Sequence, residues 1–351
     1  MAWAWRPGWR WAAGSDMARL RLRWRPFALA LPQPLRTARG LLRHKRGWLL
    51  RLEDPSGRLG WGEAAPLEPD GPGSWQASGA ALAGLDREPG REQLERWLAR
   101  PGCPPCLAFA LGAGLAELDG LMAAGGWRPA PPSALLLPAG DQMPAALDQL
   151  LSRWRTAELG QGPLWVKWKV ATVADPLERL LLDQLLRRLP ATAQLRLDAN
   201  GGWDRRTAFA WAERLRQEPR LQWLEQPLDP SDQEGLARLA ELLPVALDES
   251  LRWNPALRAS WPGWQVRRPS QEGDPRPLLA ELQAGRPHLM LSTAFETGIG
   301  RRWLEHLAAL QALGPTPTAP GLAPDWRPEG PLCDGDPEQV WASARPQRPS
   351  P

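Results

Sequence analysis

Apolar and polar residues alternate from Leu20 to Leu31, again from Gly47 to Glu53, and again from Leu59 to Glu63. Asp54-Pro55-Ser56-Gly57 supplies a turn between the last two runs. Period-two alternation marks half-buried strands, so this region is expected to form antiparallel strands. From Ser74 to Ala124 the apolar spacing turns helical: Ala81, Leu82 and Leu85, then Leu94, Trp97 and Leu98, then Leu107 to Met122. From Ser133 onward short apolar runs alternate with amphipathic ones. The runs that read as strands are Ala134–Leu137, Leu164–Val170, Gln194–Asp198, Leu221–Glu225, Pro244–Asp248, Trp264–Arg268 and His288–Leu291. Between them Asp175–Leu189, Arg206–Gln217, Gln233–Leu243 and Arg276–Ala284 have helical spacing. So many βα units in succession imply a parallel sheet, open or closed. The Pro- and Gly-rich stretch after Gly314 is expected to be loop wrapping back, or disorder.

The strand Leu164–Val170 carries Lys167 and Lys169 on one face, about 7 Å apart along the chain. The chain has 43 Lys+Arg, yet only three are lysine: Lys45, Lys167 and Lys169. Arginine stays protonated, whereas a desolvated lysine can act as a base, so the pair is a candidate for proton transfer. A solvated basic strand end is the plainer alternative.

Composition narrows the class. The 351 residues are 43% hydrophobic and 23% charged, as in a soluble globular protein. Net charge is +4 with both signs interspersed, which argues against a nucleic-acid surface. The Trp- and Arg-rich start, Met1 to Arg25, lacks the apolar core of a signal peptide, and Met17 is a second candidate start. No apolar run is long enough to span a membrane, so no membrane insertion is expected. Three cysteines suit a reducing cytoplasm. Cys103-Pro104-Pro105-Cys106 has redox-motif spacing without a preceding strand, and reads as a Pro-punctuated helix entry.

The predicted strand ends carry a pattern of their own. In order they read Lys167-Trp168-Lys169, Asp198-Ala199-Asn200, Glu225-Gln226-Pro227, Asp248-Glu249-Ser250, Arg267-Arg268-Pro269 and Ser292-Thr293-Ala294-Phe295-Glu296. In a closed βα barrel the C-terminal strand ends meet at one mouth. Asp198, Glu225 and Asp248 would then face one another, and a divalent cation would relieve their repulsion. An all-oxygen set favours Mg²⁺. Helix capping by the same acidic residues is the alternative. Strand alternation would point Glu249 away from the mouth.

This ordered set resembles the enolase superfamily in its muconate-lactonising-type branch. Pro34-Leu35-Arg36-Thr37-Ala38, Arg46-Gly47, Gly60-Trp61-Gly62-Glu63-Ala64-Ala65-Pro66 and Ser292 to Gly300 add to the likeness. The resemblance implies a (β/α)7β TIM-type barrel with an N-terminal α+β capping domain. It divides the chain into an extension at 1–17, a cap at 18–130, a barrel at 131–325, and a tail at 326–351 that could pack on the cap. It further implies Mg²⁺, replaceable by Mn²⁺, on Asp198, Glu225 and Asp248. Lys169 would be the acid/base, its pKa depressed by Lys167, and Asn200 would touch the substrate or a metal-bound water. Ser292 and Thr293 are candidate contacts to a small carboxylate substrate. Where the superfamily branch places lysine before proline on the sixth strand, this chain has Arg268, a fixed cation but a poor base. That departure favours dehydration over racemisation. The implied reaction is dehydration of 2-succinyl-6-hydroxy-2,4-cyclohexadiene-1-carboxylate to 2-succinylbenzoate, in menaquinone or phylloquinone synthesis. It would proceed through a Mg²⁺-stabilised enediolate. Cycloisomerase or epimerase activity and a non-catalytic binding role are the alternatives.

Overall fold

The computed structural model describes residues 19–37, 40–67, 74–122, 126–156 and 163–344. The extension at 1–17 with Met17, Ala38 of the cap motif, residues 123–124 of the helical region and 345–351 of the tail lie outside them. Three strands come first, β1 (Arg21–Thr37), β2 (Gly40–Glu53) and β3 (Leu59–Ala64), paired antiparallel in that order. The hairpin of β1 and β2 runs beyond the alternating runs of the sequence. Pairing continues past a register shift between Ala30 and Leu35. Pro32 and Pro34 fall in that interval; lacking N–H groups, they cannot join the ladder, and the regular alternation ends where they begin.

Helices α1 (Trp75–Ala83), α2 (Arg91–Leu98) and α3 (Pro105–Leu118) cover this sheet. Leu50 and Leu52 of β2 pack with Leu107, Leu111 and Leu115 of α3. The approach is close enough to need glycine: a Cβ on Gly60 or Gly62 would collide with the carbonyls of Gly114 and Ala110. Pro105 opens α3, and neither Cys103 nor Cys106 forms a disulfide with a described residue. Burial pushes the Cys103 thiol up to about 11, away from thiolate chemistry.

The second unit is a seven-stranded parallel sheet. In chain order it contains β4 (Leu135–Leu137), α4 (Met143–Arg155), β5 (Trp165–Lys169), α5 (Asp175–Arg188), β6 (Gln194–Asp198) and α6 (Arg205–Leu215). Then follow β7 (Leu221–Glu225), α7 (Gln233–Ala240), β8 (Val245–Leu247), α8 (Glu249–Trp253), α9 (Leu257–Ser260) and β9 (Trp264–Arg267). The unit ends with α10 (Arg276–Gln283), β10 (Leu289–Leu291) and α11 (Gly298–Ala312). Neighbours along the sheet follow chain order from β4 to β10. The sheet then closes through an extended segment at 318–321. Gly321 N donates to Leu291 O (2.8 Å), Thr293 N donates to Gly321 O (3.1 Å), and Ala134 N donates to Pro320 O (3.0 Å). The Pro-rich stretch after Gly314 is therefore in part the strand that seals the barrel. Burial on both faces explains why the barrel strands read as short apolar runs.

Beyond the barrel, α12 (Pro337–Ser343) lays Val340 and Trp341 against Phe27, Leu49 and Trp61 of the first sheet and Ile299 of α11. Arg25 Nη1 donates to Trp341 O at 2.7 Å. No helix among the described residues is long and apolar enough to cross a membrane.

Gly62→Ala should destabilise the protein by about 1–3 kcal/mol or more, because neither the α3 backbone nor β3 can yield to the new methyl. Thermal unfolding of the variant beside wild type measures this. An unchanged midpoint would mean the β3–α3 contact is looser than described.

Candidate active site

Alternation along β5 sends Lys167 and Lys169 into the barrel while Val166 and Trp168 pack outward with the helices. In-register pairing sets Lys169 beside Asp198 and Asp198 beside Glu225. The three strand-end carboxylates are almost wholly buried: Asp198 is 1% exposed, Glu225 0% and Asp248 3%. Each carboxylate has a cationic partner. Lys167 Nζ lies 2.8 Å from Asp198 Oδ2 and 2.6 Å from Glu225 Oε1. Burial alone would lower the Lys167 pKa, but the charges of Asp198 and Glu225 outweigh it and raise it. Arg268 holds Asp248 with two groups, Nε at 3.0 Å and Nη2 at 2.5 Å, and donates through Nη1 to Thr293 O at 2.6 Å. Its pKa rises despite burial because Asp248 faces it. Asp248 correspondingly stays below the usual carboxylate range, the Arg268 charge overcoming the cost of burial.

Lys169 stands apart. It is half-buried and makes no hydrogen bond or ion pair with any described residue. Lys167, its neighbour along β5, has its own charge taken up by two carboxylates.

Glu249 needs a correction. It faces the site rather than away, because β8 stops at Leu247 and Asp248 takes φ −120°, ψ −77° at the start of α8. Alternation therefore no longer governs where Glu249 points. Burial and the charges of Asp248 and Asp198 push its carboxyl up to about 8. Its Oε1 accepts from Asn200 Nδ2 at 3.1 Å, while Oε2 is buried without a partner. Asn200, exposed and in the left-handed region at φ 46°, thus orients a carboxylate of the site.

Among the described residues no three carboxylates converge as a ready-made metal cluster, since Lys167 and Arg268 lie between them. The charge balance nonetheless suits a divalent cation. Three carboxylates (Asp198, Glu225 and Asp248) oppose the two cations paired with them, and Glu249, pushed up to about 8, adds a fourth where it ionises. Burial first, and then the charge of the neighbouring Asp198, push Glu225 upward, as closely set buried carboxylates do. The oxygen-only donor set is of the kind that Mg²⁺ takes.

A sequence profile described as Enolase C-terminal domain-like matches residues 155–258. The chain is also 35% identical over 303 residues to the o-succinylbenzoate synthase of Thermosynechococcus vestitus, spanning 82% of this chain and 88% of that one. It belongs to the o-succinylbenzoate synthase family. The synthase of Pectobacterium atrosepticum is 30% identical over 294 residues, 80% of this chain and 83% of its own. The crystal structure of o-succinylbenzoate synthase from Thermosynechococcus elongatus BP-1, complexed with Mg in its active site, matches with a TM-score of 0.75 at 32% identity. It covers 92% of this chain and 99% of that one. The L-Ala-D/L-Glu epimerase of Bacillus subtilis shares the architecture at a TM-score of 0.67 and 19% identity, over 89% and 91% of the two chains.

The two candidate substrate contacts, Ser292 and Thr293, differ in this o-succinylbenzoate synthase family member. The Thr293 hydroxyl donates to Glu296 Oε2 (2.6 Å) and accepts from Phe295 N (2.8 Å), so its proton is committed and one acceptor lone pair is left for a substrate donor. Its carbonyl instead holds Arg268. Ser292 Oγ faces Gly321 O at 3.4 Å, a long bond that leaves its hydroxyl free to turn. Gln226 belongs to the strand-end pattern in the sequence, but its part in the site is visible only in the fold. Fully buried, it accepts from Asp248 N (3.2 Å) and Ser250 N (3.0 Å) and donates to Ser250 Oγ (2.7 Å) and Leu228 O (2.9 Å). It ties the end of β7 to the start of α8, where Asp248 and Glu249 turn inward. A glutamine directly after a strand-end glutamate was the available signal.

Gln226→Leu should cost about 1–3 kcal/mol for each buried N–H left unpaired and should cripple turnover by releasing Asp248 and Glu249. Chemical denaturation and steady-state rates read the two effects separately. Full activity would show that the α8 entry holds itself.

Proposed function

We propose that this protein dehydrates 2-succinyl-6-hydroxy-2,4-cyclohexadiene-1-carboxylate to 2-succinylbenzoate, with Asp198, Glu225 and Asp248 binding Mg²⁺, or Mn²⁺ in its place. The observation that carries the reading is one unpaired lysine, Lys169, beside a buried excess of carboxylate whose other cations are committed. Membership of a synthase family, and a Mg-bound relative, support it. When bound, Mg²⁺ would supply Lewis-acid polarisation of the ring carboxylate next to the acidic C–H.

Lys169 would take the proton from the carbon bearing that carboxylate. As an ammonium it would then protonate the departing hydroxyl, so that water leaves and the ring becomes aromatic. A single group serves both steps because the base is recharged as an acid by the first. Arg268 would supply fixed positive charge for the electron density that builds up between them. Its two bonds to Asp248 and one to Thr293 hold it in place, and it cannot act as a second base. That weighs against an epimerase, which needs proton carriers on both faces of its substrate. The same reading places the product in menaquinone or phylloquinone synthesis. Three cysteines with no disulfide among the described residues suit a reducing cytoplasm.

Lys169→Ala should lower turnover at least about 10³-fold, and Lys169→Arg nearly as much, since arginine keeps the charge without the basicity. The assay is absorbance of the aromatic product. A tenth of the wild-type rate in Lys169→Arg would reduce Lys169 to a mere cation. Stripping with EDTA should abolish turnover, and adding back Mg²⁺ or Mn²⁺ should restore it. Full rates in excess EDTA would remove the metal from the reaction.

A further inference from the structure

Lys45 is the lysine that the reaction above leaves unused. It lies on β2 in the cap and is 0% exposed. Its ammonium donates to Ala294 O and stands 3.8 Å from Glu63 Oε1. Its charge also helps hold Glu296 below the usual carboxylate range against the cost of burial. Glu63 belongs to the cap, and its Oε2 accepts from Thr297 N (2.8 Å), Thr297 Oγ1 (2.6 Å) and Gly300 N (3.2 Å). Glu296 accepts from Ala294 N (2.9 Å), Ser270 Oγ (2.7 Å) and Thr293 Oγ1 (2.6 Å). One cap ammonium and two carboxylates therefore grip both ends of the turn at 293–297. Within that turn Phe295 sits at φ 63°, a conformation a phenylalanine keeps only when its surroundings impose it. The turn in turn presents the Thr293 carbonyl to Arg268 Nη1.

We propose that Lys45 is a positioning residue for the dehydration: acting from the cap, it fixes the turn at 293–297 and, through the Thr293 carbonyl, sets the Arg268 guanidinium. The inference rests on the dehydratase reading. Its chemistry accounts for the lysine. Outside the lysines of β5 the chain uses arginine for charge, but the space between Glu63, Glu296 and the Ala294 carbonyl suits a compact ammonium better than a planar fork. Without Lys45, two buried carboxylates would face each other unshielded. One would take up a proton, and the bonds it accepts from the turn would weaken.

The test is a double-mutant cycle on the Mg²⁺-supplied enzyme. Wild type, Lys45→Met, Arg268→Met and the double variant are compared for kcat, KM and thermal midpoint. Lys45→Met should lower kcat at least about tenfold with KM within about threefold. The double variant should fall within about threefold of Arg268→Met alone, because the first change acts through the second. Lys45→Met/Glu63→Gln keeps the cluster balanced in charge and serves also where Lys45→Met does not fold. It should regain thermal stability while kcat stays low. The proposal is overturned by a near wild-type kcat in Lys45→Met, by losses that multiply in the double variant, or by kcat recovering along with stability in Lys45→Met/Glu63→Gln. A wild-type enzyme without dehydratase turnover would instead fail the reaction assignment, and the proposal would fall with it.

Discussion

The barrel mouth is organised by the cost of keeping several carboxylates out of water. Asp198, Glu225 and Asp248 are buried at the ends of three successive strand positions, where each would repel the others. Burying an unpaired charge costs several kcal/mol, so the fold must bring cations to the same place. Lys167 does this for Asp198 and Glu225, and Arg268 for Asp248. Much else follows from that requirement. The parallel register must put Lys169, Asp198 and Glu225 side by side, and Gln226 must pin the turn that brings in Asp248.

The barrel was largely legible because its strands are short, apolar on both faces and separated by helical periodicity, so every strand end could be compared with its neighbours. The observed strands β4 to β10 fall within or match the predicted runs. Most of what stayed illegible lies where alternation gives out. Glu249 follows a strand that ends one residue before Asp248, and period two cannot say where it points. The closing segment at 318–321 follows Pro315 and Pro317 and includes Pro320, so it looks like loop, yet three backbone bonds suffice to seal the sheet. Thr293 resembled a substrate contact from its place at a strand end. Its hydroxyl proton goes to Glu296, a partner three residues away that only a folded turn can reveal.

The cap is more than a cover. Gln271 follows the sixth strand end closely, and its side chain donates to Ala65 O (3.0 Å) and accepts from Leu67 N (2.8 Å). Lys45 and Glu63 grip the seventh strand's loop from the same side. Barrel loops that bear functional groups gain rigidity from such outside contacts, which a bare barrel could not provide. In the opposite direction, beneath the site, Arg196 is fully buried. It donates to Gln222 Oε1 (2.6 Å), Thr318 Oγ1 (2.7 Å) and Ala319 O (2.6 Å), and its guanidinium lies 4.3 Å from the Trp223 ring centroid. Burial lowers its pKa to about 9. It joins β6 to the closing segment and so supports the floor of the barrel.

The arginine on the sixth strand bears on the kind of chemistry this mouth can perform. A lysine there could trade protons, because its ammonium can be desolvated toward neutrality. Arg268 is bound at three points, two on Asp248 and one on the Thr293 carbonyl, and Asp248 raises its pKa further. A group so held neither moves nor deprotonates, so the second face of a substrate would meet a charge instead of a base. That arrangement is useless for inverting a stereocentre. It is sufficient for an elimination in which one lysine removes a proton and returns it to the leaving group, while fixed positive charge steadies the electrons in between.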